Sequence, residues 1–440
     1  MSFTRSHIIV LLTGLGIPAS AANPALAQNL TSTEQAIVSY VDAHDDEAID
    51  LLERIVNINS GTMNHAGVRE VGRIFEAELA SLGFDTRWID MPAEVNRAGH
   101  LFAEIDGGAG PTILLIGHLD TVFEENSPFQ RFERGDSTTS GPGTEDMKGG
   151  DVVLLYALKA LHAAGVLEDT RIIVALTGDE EKPGRPIEVS RADLIEAGRR
   201  SQLALGFEGG VDGTGTATVA RRGSSGWTLL VEGARGHSSQ IFGEKYGAGA
   251  IFEAARILGG FYDEVRGEEY LTFNPGIILG GTEVSYDAAG TRGAAFGKTN
   301  VIAQSVVVDG GLRFISEEQK ERARERMREV VSRHLPLTSA QIEFEDGYPA
   351  MAPTEANYEL LGVLDEVSRD LGFGPVEAVD PARRGAADIS FVAPYVGSCL
   401  DGLGVAGSGG HTIEEEVDLG SLPIVTKRAA LLIHRLTQVK

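Results

Sequence analysis

The chain holds a single cysteine, Cys399, in 440 residues. That excludes a disulfide framework and any thiolate-rich metal cluster. A bound metal would have to be held by His, Asp and Glu. Positive charge is also scarce: 38 Lys and Arg stand against 64 Asp and Glu, a formal charge of −26. A nucleic-acid binder needs a basic patch, so no nucleic acid is expected as a partner. Beyond the N-terminus no segment is long and apolar enough to span a bilayer. Internal repeats, low-complexity linkers, a Walker phosphate loop and a G-x-S-x-G nucleophile elbow are all missing. What is present is a hydrophobic content of 42%, too high for a disordered chain, and 55 glycines, which imply many tight turns. The length suits two or three domains.

Residues 1–27 read as a secretory signal peptide. Arg5 gives a positive start, Ile8 to Ile17 a short apolar stretch, and Ala25-Leu26-Ala27 a small-x-small cleavage site before Gln28. The apolar run is too short for a membrane anchor and is interrupted by Gly14, Gly16 and Pro18. The expectation is cleavage after Ala27, no lasting membrane anchor, and a periplasmic or secreted protein.

Helical spacing covers 33–57, 67–82 and 151–164. Thr86–Ile89, Leu101–Ile105, Thr112–Ile116 and Arg171–Thr177 read as strands, the last two apolar enough to be buried on both faces. Such alternation predicts an α/β domain with a mainly parallel sheet. After about residue 222 the texture changes. Trp227–Glu232 and Val301–Phe314 alternate, Ile342–Phe344 is strand-like, and 248–262 and 317–334 are helical. This predicts a small α+β insert, after which helices at 355–371 and 421–436 and a strand at Val396–Leu400 resume the first texture. The domains are therefore drawn as 1–27 signal, 28–222 and 348–440 the two parts of one discontinuous domain, and 223–347 the insert.

Five short segments carry chemistry. His118 and Asp120 follow a buried strand on the same side, where His118 could bind metal and Asp120 fix its tautomer. A core histidine beside a local Asp turn fits as well. The run Gly141 to Gly150 delivers Asp146 to a helix start, as a metal bridge or a simple cap. Asp179-Glu180-Glu181 crowds three carboxylates at a strand end. That is either a solvated turn or a metal ligand next to a general base, with a divalent ion offsetting the repulsion. Glu208 follows a short apolar run, and His411 sits among glycines. Together His118, Asp146, Glu181, Glu208 and His411 form an all-N/O ligand set suited to zinc or another divalent ion.

The order HLDTV, G-x-x-D-M-K-G-G, DEE, FEG and a late GH resembles the co-catalytic zinc metallopeptidases. These include bacterial glutamate carboxypeptidases, aminoacylases, acetylornithine deacetylases and succinyl-diaminopimelate desuccinylases. The resemblance covers nearly the whole chain after residue 27. It implies a zinc-peptidase catalytic domain with an inserted ferredoxin-like lid, through which homodimers commonly form. It implies two Zn2+ ions, with Co2+ or Mn2+ as alternatives. Asp146 would bridge them, His118 and Glu208 completing one site and Glu181 and His411 the other. Glu180 would be the general base and Asp120 the group orienting His118. In the lid, His237 resembles the histidine that reaches a partner subunit's site to hold the oxyanion. Asn300 and Arg313 resemble residues that hold a substrate's terminal carboxylate, and Gly385–Asp388 a loop on the substrate side.

Two departures stand out. The lid turn reads GHSSQ followed by a Phe-Gly-Glu-Lys-Tyr-Gly stretch, where many relatives carry a shorter proline-containing turn. Arg221-Arg222 and Arg383-Arg384 are arginine pairs in a very acidic chain. They serve solubility, or else Arg222 and Arg384 recognise substrate carboxylates. The expected activity is exo-acting hydrolysis of an amide or peptide bond next to a C-terminal amino acid, with acidic residues favoured. The substrate would be a peptide or an N-acyl amino acid. An N-acyl amino acid deacylase or an aminopeptidase is the alternative, and a non-enzymatic binder would not need Glu180.

Overall fold

A computed structural model describes residues 30–438, apart from 109, 136–137 and 289–290. The segment read as a signal peptide lies outside the described residues. The chain opens on α1 (Ser32–Ala43) and α2 (Asp45–Val56). The apolar spacing over 33–57 predicts one helix, but it breaks at His44, which caps both pieces. Asp45, Asp46 and Glu47 occupy the first turn of α2, where acidic side chains favour a helix start. Next come α3 (His65–Ser81), β1 (Asp85–Ile89), β2 (His100–Asp106), β3 (Thr112–His118), α4 (Lys148–Ala163), β4 (Arg171–Thr177), α5 (Ala192–Arg199) and β5 (Leu203–Gly206).

The chain then enters the insert: β6 (Gly223–Gly233), α6 (Ala250–Gly260), β7 (Thr272–Gly281), a hairpin of β8 (Glu283–Asp287) and β9 (Arg292–Phe296), β10 (Ser305–Phe314), α7 (Glu317–Ser332) and β11 (Thr338–Asp346). It returns through α8 (Glu355–Asp370), β12 (Ser398–Leu400) and α9 (Ser421–Thr437).

The large sheet has the order β1-β2-β4-β3-β5-β12. β3 pairs in parallel with β4 and β5, and β5 with β12, while β2 is antiparallel to both β1 and β4. Only β2 runs against the rest. Alternation along β3 shows why its sequence is apolar throughout. Ile113 and Leu115 enter the core shared with α4 and α9, and Leu114 and Ile116 the core shared with α5. Such two-sided burial is what a parallel sheet between helical layers requires.

The insert is a β-α-β-β-α-β unit with sheet order β7-β10-β6-β11, all neighbours antiparallel, which is the ferredoxin-like arrangement. Trp227, Phe261, Met327 and Phe314 anchor its separate core. Periodicity does not reveal β7, because Pro275 and Gly276 interrupt it. Its register slips between Pro275 and Ile277, and it is an edge strand, the place where a sheet tolerates proline. The hairpin β8–β9 is likewise unsignalled; its strand β9 is exposed along its whole length. No described helix is long and apolar enough to cross a membrane.

Candidate metal centre and active site

The ligand candidates all sit beyond the carboxyl ends of parallel strands or on adjoining loops, where open α/β sheets place their sites. His118 is the last residue of β3. Glu180 and Glu181 follow β4 and Glu208 follows β5. Asp146 ends the loop leading into α4. That helix approaches the sheet very closely. A Cβ on Gly150 would lie 1.8 Å from the Phe207 carbonyl oxygen. The glycines after Lys148 therefore let the Asp146 loop reach the β5 end. His411 sits in a loop and has a positive φ of 65°.

The fold draws these residues into two groups that share one carboxylate: His118, Asp146 and Glu208, and Asp146, Glu181 and His411. Asp146 divides its oxygens between them. Its Oδ1 is 3.2 Å from His118 Nε2, and its Oδ2 is 3.0 Å from His411 Nε2. Glu208 Oε1 lies 3.7 Å from the His118 ring nitrogen, and Glu181 Oε2 lies 3.0 Å from that of His411.

Electrostatics describe a site built around positive charge. Burial pushes Glu181 up to about 7, Asp146 adding to the effect, and pushes Glu208 to about 7 for the same two reasons. Hydrogen bonds to Asp146 and Glu181 raise His411 to about 11. Burial opposes charge on His118, yet hydrogen bonds to Asp120 and Asp146 carry it well above its ordinary value. Burial likewise opposes the Asp146 anion, and its bonds to the two histidines hold its pKa far below the carboxylate range. Without metal, protons on the histidines supply the cations these carboxylates demand. Metal binding must displace those protons. Glu181 Oε1 is buried without a hydrogen-bond partner among the described residues, a donor atom left over for an ion. Two nitrogens and diverging carboxylate oxygens, with no sulfur, fit a pair of divalent cations.

Asp120 does more than orient a ring. Its carboxylate accepts from the backbone N–H of Glu180 at 3.0 Å and of Glu181 at 3.2 Å, and from the Thr62 hydroxyl at 2.6 Å. His118 Nδ1 lies closer to the Asp120 backbone carbonyl, at 3.0 Å, than to its carboxylate, at 3.4 Å. Glu180 itself is pushed well above the usual carboxylate range by burial, with Glu208, Asp388 and Glu181 adding to the effect and His118 opposing it.

Several supports carry no sequence motif of their own. Glu415 accepts from the N–H groups of Gly143, Glu145 and Asp146, and so holds the bridging loop. Lys148 anchors the same loop by donating to the carbonyls of Ile55 and Ile58. Glu145, wedged against Gly209, Gly407 and Gly410, is pushed to about 8 by burial and by Asp146.

Beneath this layer Asp151 is fully buried, and neither of its carboxylate oxygens has a hydrogen-bond partner among the described residues. Burial holds its pKa well above the ordinary 3.8. In the unfolded chain it ionises above that value, while in the fold it keeps its proton. The unfolded state then binds fewer protons, and stability falls as pH rises past the ordinary Asp range. Asp151→Asn should therefore raise the Tm of the metal-stripped protein at pH 7.5, with little change at pH 4. Thermal melts at both values check this.

The arginine pairs divide. Arg221 is buried, ion-paired with Asp401, and donates to the Gly385 carbonyl at 3.1 Å. Arg383 pairs with Asp212 at the surface. Arg222 and Arg384 have no carboxylate partner among the described residues, and each leaves a buried Nε unbonded. Arg222 donates to the Ala382 carbonyl at 3.1 Å, two residues before Arg384. Burial and the like charge of Arg222 lower the Arg313 pKa. His237 and Asn300 are brought together on the lid, where the Asn300 carbonyl accepts from the Ser238 N–H at 2.9 Å. Both are exposed, the His237 ring lies 2.9 Å from the Ser239 hydroxyl, and neither belongs to a ligand group.

The profile described as Peptidase family M20/M25/M40 matches residues 114–435. The chain is 27% identical over 424 residues to carboxypeptidase G2 of Pseudomonas sp. (strain RS-16), covering 94% of each. It is 25% identical over 398 residues to a succinyl-diaminopimelate desuccinylase of Hydrogenovibrio crunogenus, covering 87% of this chain and 96% of the relative. Among solved structures, aminopeptidase PepT from Bacillus cereus superposes with a TM-score of 0.70 at 17% identity, over 90% of this chain and 99% of that one.

Proposed function

The chain belongs to peptidase family M20/M25/M40, as a metallohydrolase of peptide or N-acyl amide bonds, and from that premise we propose an exported carboxypeptidase that favours acidic C-terminal residues. The observation that carries the hydrolytic reading is Asp146, whose two oxygens serve two ligand groups beside a buried Glu180. His118, Asp146 and Glu208 would hold one ion, and Asp146, Glu181 and His411 the other. Zinc is the proposed metal, on the all-N/O donor set. When bound, the ions supply Lewis acidity and bring the pKa of a water toward neutrality.

The protein's own groups do the rest. Glu180 takes the proton of the attacking water and delivers it to the leaving nitrogen. Asp120 keeps Glu180 and Glu181 facing the site by binding both of their N–H groups. His237, exposed on the lid and in neither ligand group among the described residues, would serve the oxyanion of a partner subunit. That requires a homodimer through the lid. Phe242, Ile251 and Phe252 are exposed apolar groups on the lid that such a dimer would cover. Export rests on the signal-like residues 1–27.

Carboxylate recognition falls to Arg222, Arg313 and Arg384, which have no carboxylate ion-pair partner among the described residues, with Asn300 as a further donor. In a chain of charge −26 they are what would draw an anionic substrate to the cleft. Arg384→Ala should raise KM for a peptide ending in glutamate by roughly tenfold or more, the scale of one charged hydrogen bond, with a smaller change in kcat. Initial-rate kinetics decide it, and an unchanged KM removes Arg384 from the substrate site.

One observation favours a second reading. Glu145 lies beside Asp146 and Glu208 and forms no direct ion pair among the described residues, the Arg384 charge acting on it from further off, and a carboxylate so placed is the kind of group an aminopeptidase uses for a free amine. Peptides with acetylated N-termini separate the two readings. The metal-loaded carboxypeptidase releases their C-terminal residue, chelation stops it and added metal restores it. An aminopeptidase leaves them intact.

A further inference from the structure

The lid joins the catalytic domain through two chain segments that run side by side. Arg221 and Met351 exchange both backbone hydrogen bonds, at 2.9 and 3.0 Å, and the Ser224 N–H donates to the Tyr348 carbonyl at 2.8 Å. Each segment sends a side chain to the floor of the site. From the outgoing one, Arg221 Nη2 comes within 3.8 Å of Glu208 Oε2. From the returning one, the Tyr348 hydroxyl donates to the backbone carbonyl of Glu180 at 2.8 Å. It also accepts from Arg191 Nη2 at 3.2 Å. A phenol can do both at once, since it has one O–H and free lone pairs.

Tyr348 is held firmly. Its ring packs on Phe391 with centroids 4.8 Å apart. Arg191 has no exposed side-chain area and is ion-paired to both Asp179 and Asp388. Asp388 in turn accepts from Thr177 at the end of β4, at 2.5 Å. The peptide units around Glu180 are thus gripped from two sides: Asp120 takes the N–H and Tyr348 the carbonyl. One grip belongs to the catalytic domain and the other to the hinge.

We infer that Tyr348 is a positioning residue for Glu180: its hydroxyl, carried on the lid hinge, fixes the Glu180 carbonyl and so ties the seating of the lid to the aim of the base. The inference rests on the reading of Glu180 as general base. Tyr348 does not touch the reacting atoms. Its effect passes through the backbone of the residue that does, and small misplacements of a reacting group are costly.

The test is Tyr348→Phe in the full-length, metal-loaded enzyme, which removes one oxygen and keeps the ring. Expected are two metals per chain, KM within about twofold of the parent, and kcat lower by about tenfold, the order that small displacements produce. A purely structural hydroxyl would lower Tm and leave kcat per folded molecule unchanged. Placing p-aminophenylalanine at position 348 restores a donor at the same reach, and kcat should recover most of the loss. An unchanged kcat in Y348F, or no recovery with the amino analogue, overturns the inference. So does a Y348F chain that fails to fold while the amino analogue folds with low kcat. Glu180→Gln, assayed alongside, keeps the two ideas apart. If E180Q turns over normally, the base assignment fails. If E180Q is inactive and Y348F is unaffected, only the positioning role fails.

Discussion

Glu180→Gln should bind both metals, fold as the parent does, and lose roughly 10²–10⁴ in kcat, the range attributed to a positioned general base. The structure explains why the lesion should be confined to chemistry. The main chain at Glu180 is held by Asp120 at its N–H and by Tyr348 at its carbonyl, and neither bond involves the side chain that changes. Glutamine has the same shape, so the burial around this position is kept. Burial and its acidic neighbours already hold this carboxyl well above the carboxylate range, so E180Q replaces a group that resists ionisation with one that cannot ionise. Elemental analysis should return two ions per chain, and a thermal melt a Tm no lower than that of the parent. Near-normal turnover in metal-loaded E180Q would move the base role elsewhere. Glu181, Glu208 and Glu145 are then the carboxylates to test, the first two of which each belong to a ligand group.

Asp146→Asn should be the most damaging single change to metal content. Each of its two oxygens faces a histidine nitrogen of a different group, at 3.2 and 3.0 Å. An amide offers one oxygen and one NH2, so at least one group meets a donor where it needs an acceptor. The amide also lacks the negative charge that both groups share. Binding should therefore fall from two ions to well below one, with activity lost in proportion. His411→Ala and Glu208→Gln touch one group each and should leave about one ion bound, since the other group keeps all three of its ligands. Isothermal titration of chelator-treated protein, followed by elemental analysis after gel filtration, gives these stoichiometries. Two ions bound tightly by D146N would show that the groups are independent and that no carboxylate bridges them.

Much of this site was legible in the chain, for a reason particular to parallel sheets. Strand ends are marked by apolar runs closing on glycine or a charged residue, and the site lies where those strands end. His118, Glu181 and Glu208 follow such runs, so residue type and position together make them visible. The glycines flanking Asp146 and His411 mark close approach of the backbone. The supports were not legible. Glu415 contacts residues 143–146 from about 270 positions away, and Thr62 meets Asp120 across 58. Tyr348 reaches Glu180 across 168 residues, with no spacing rule connecting them. The arginine pairs show the same limit. Sequence presents Arg221-Arg222 and Arg383-Arg384 as twins. The fold neutralises one of each, against Asp401 and Asp212, and leaves the other available.

By itself the sequence determined the class of layered domain, the insert and the kind of atoms that could hold metal, because these follow from hydrophobic periodicity and from donor chemistry. Only the tertiary structure decided which carboxylate faces two groups at once, which arginines keep an unpaired charge, and that the lid hinge grips the backbone of Glu180. Those facts depend on distances between residues remote in the chain, and on which buried charges neutralise one another. Neither leaves a local pattern.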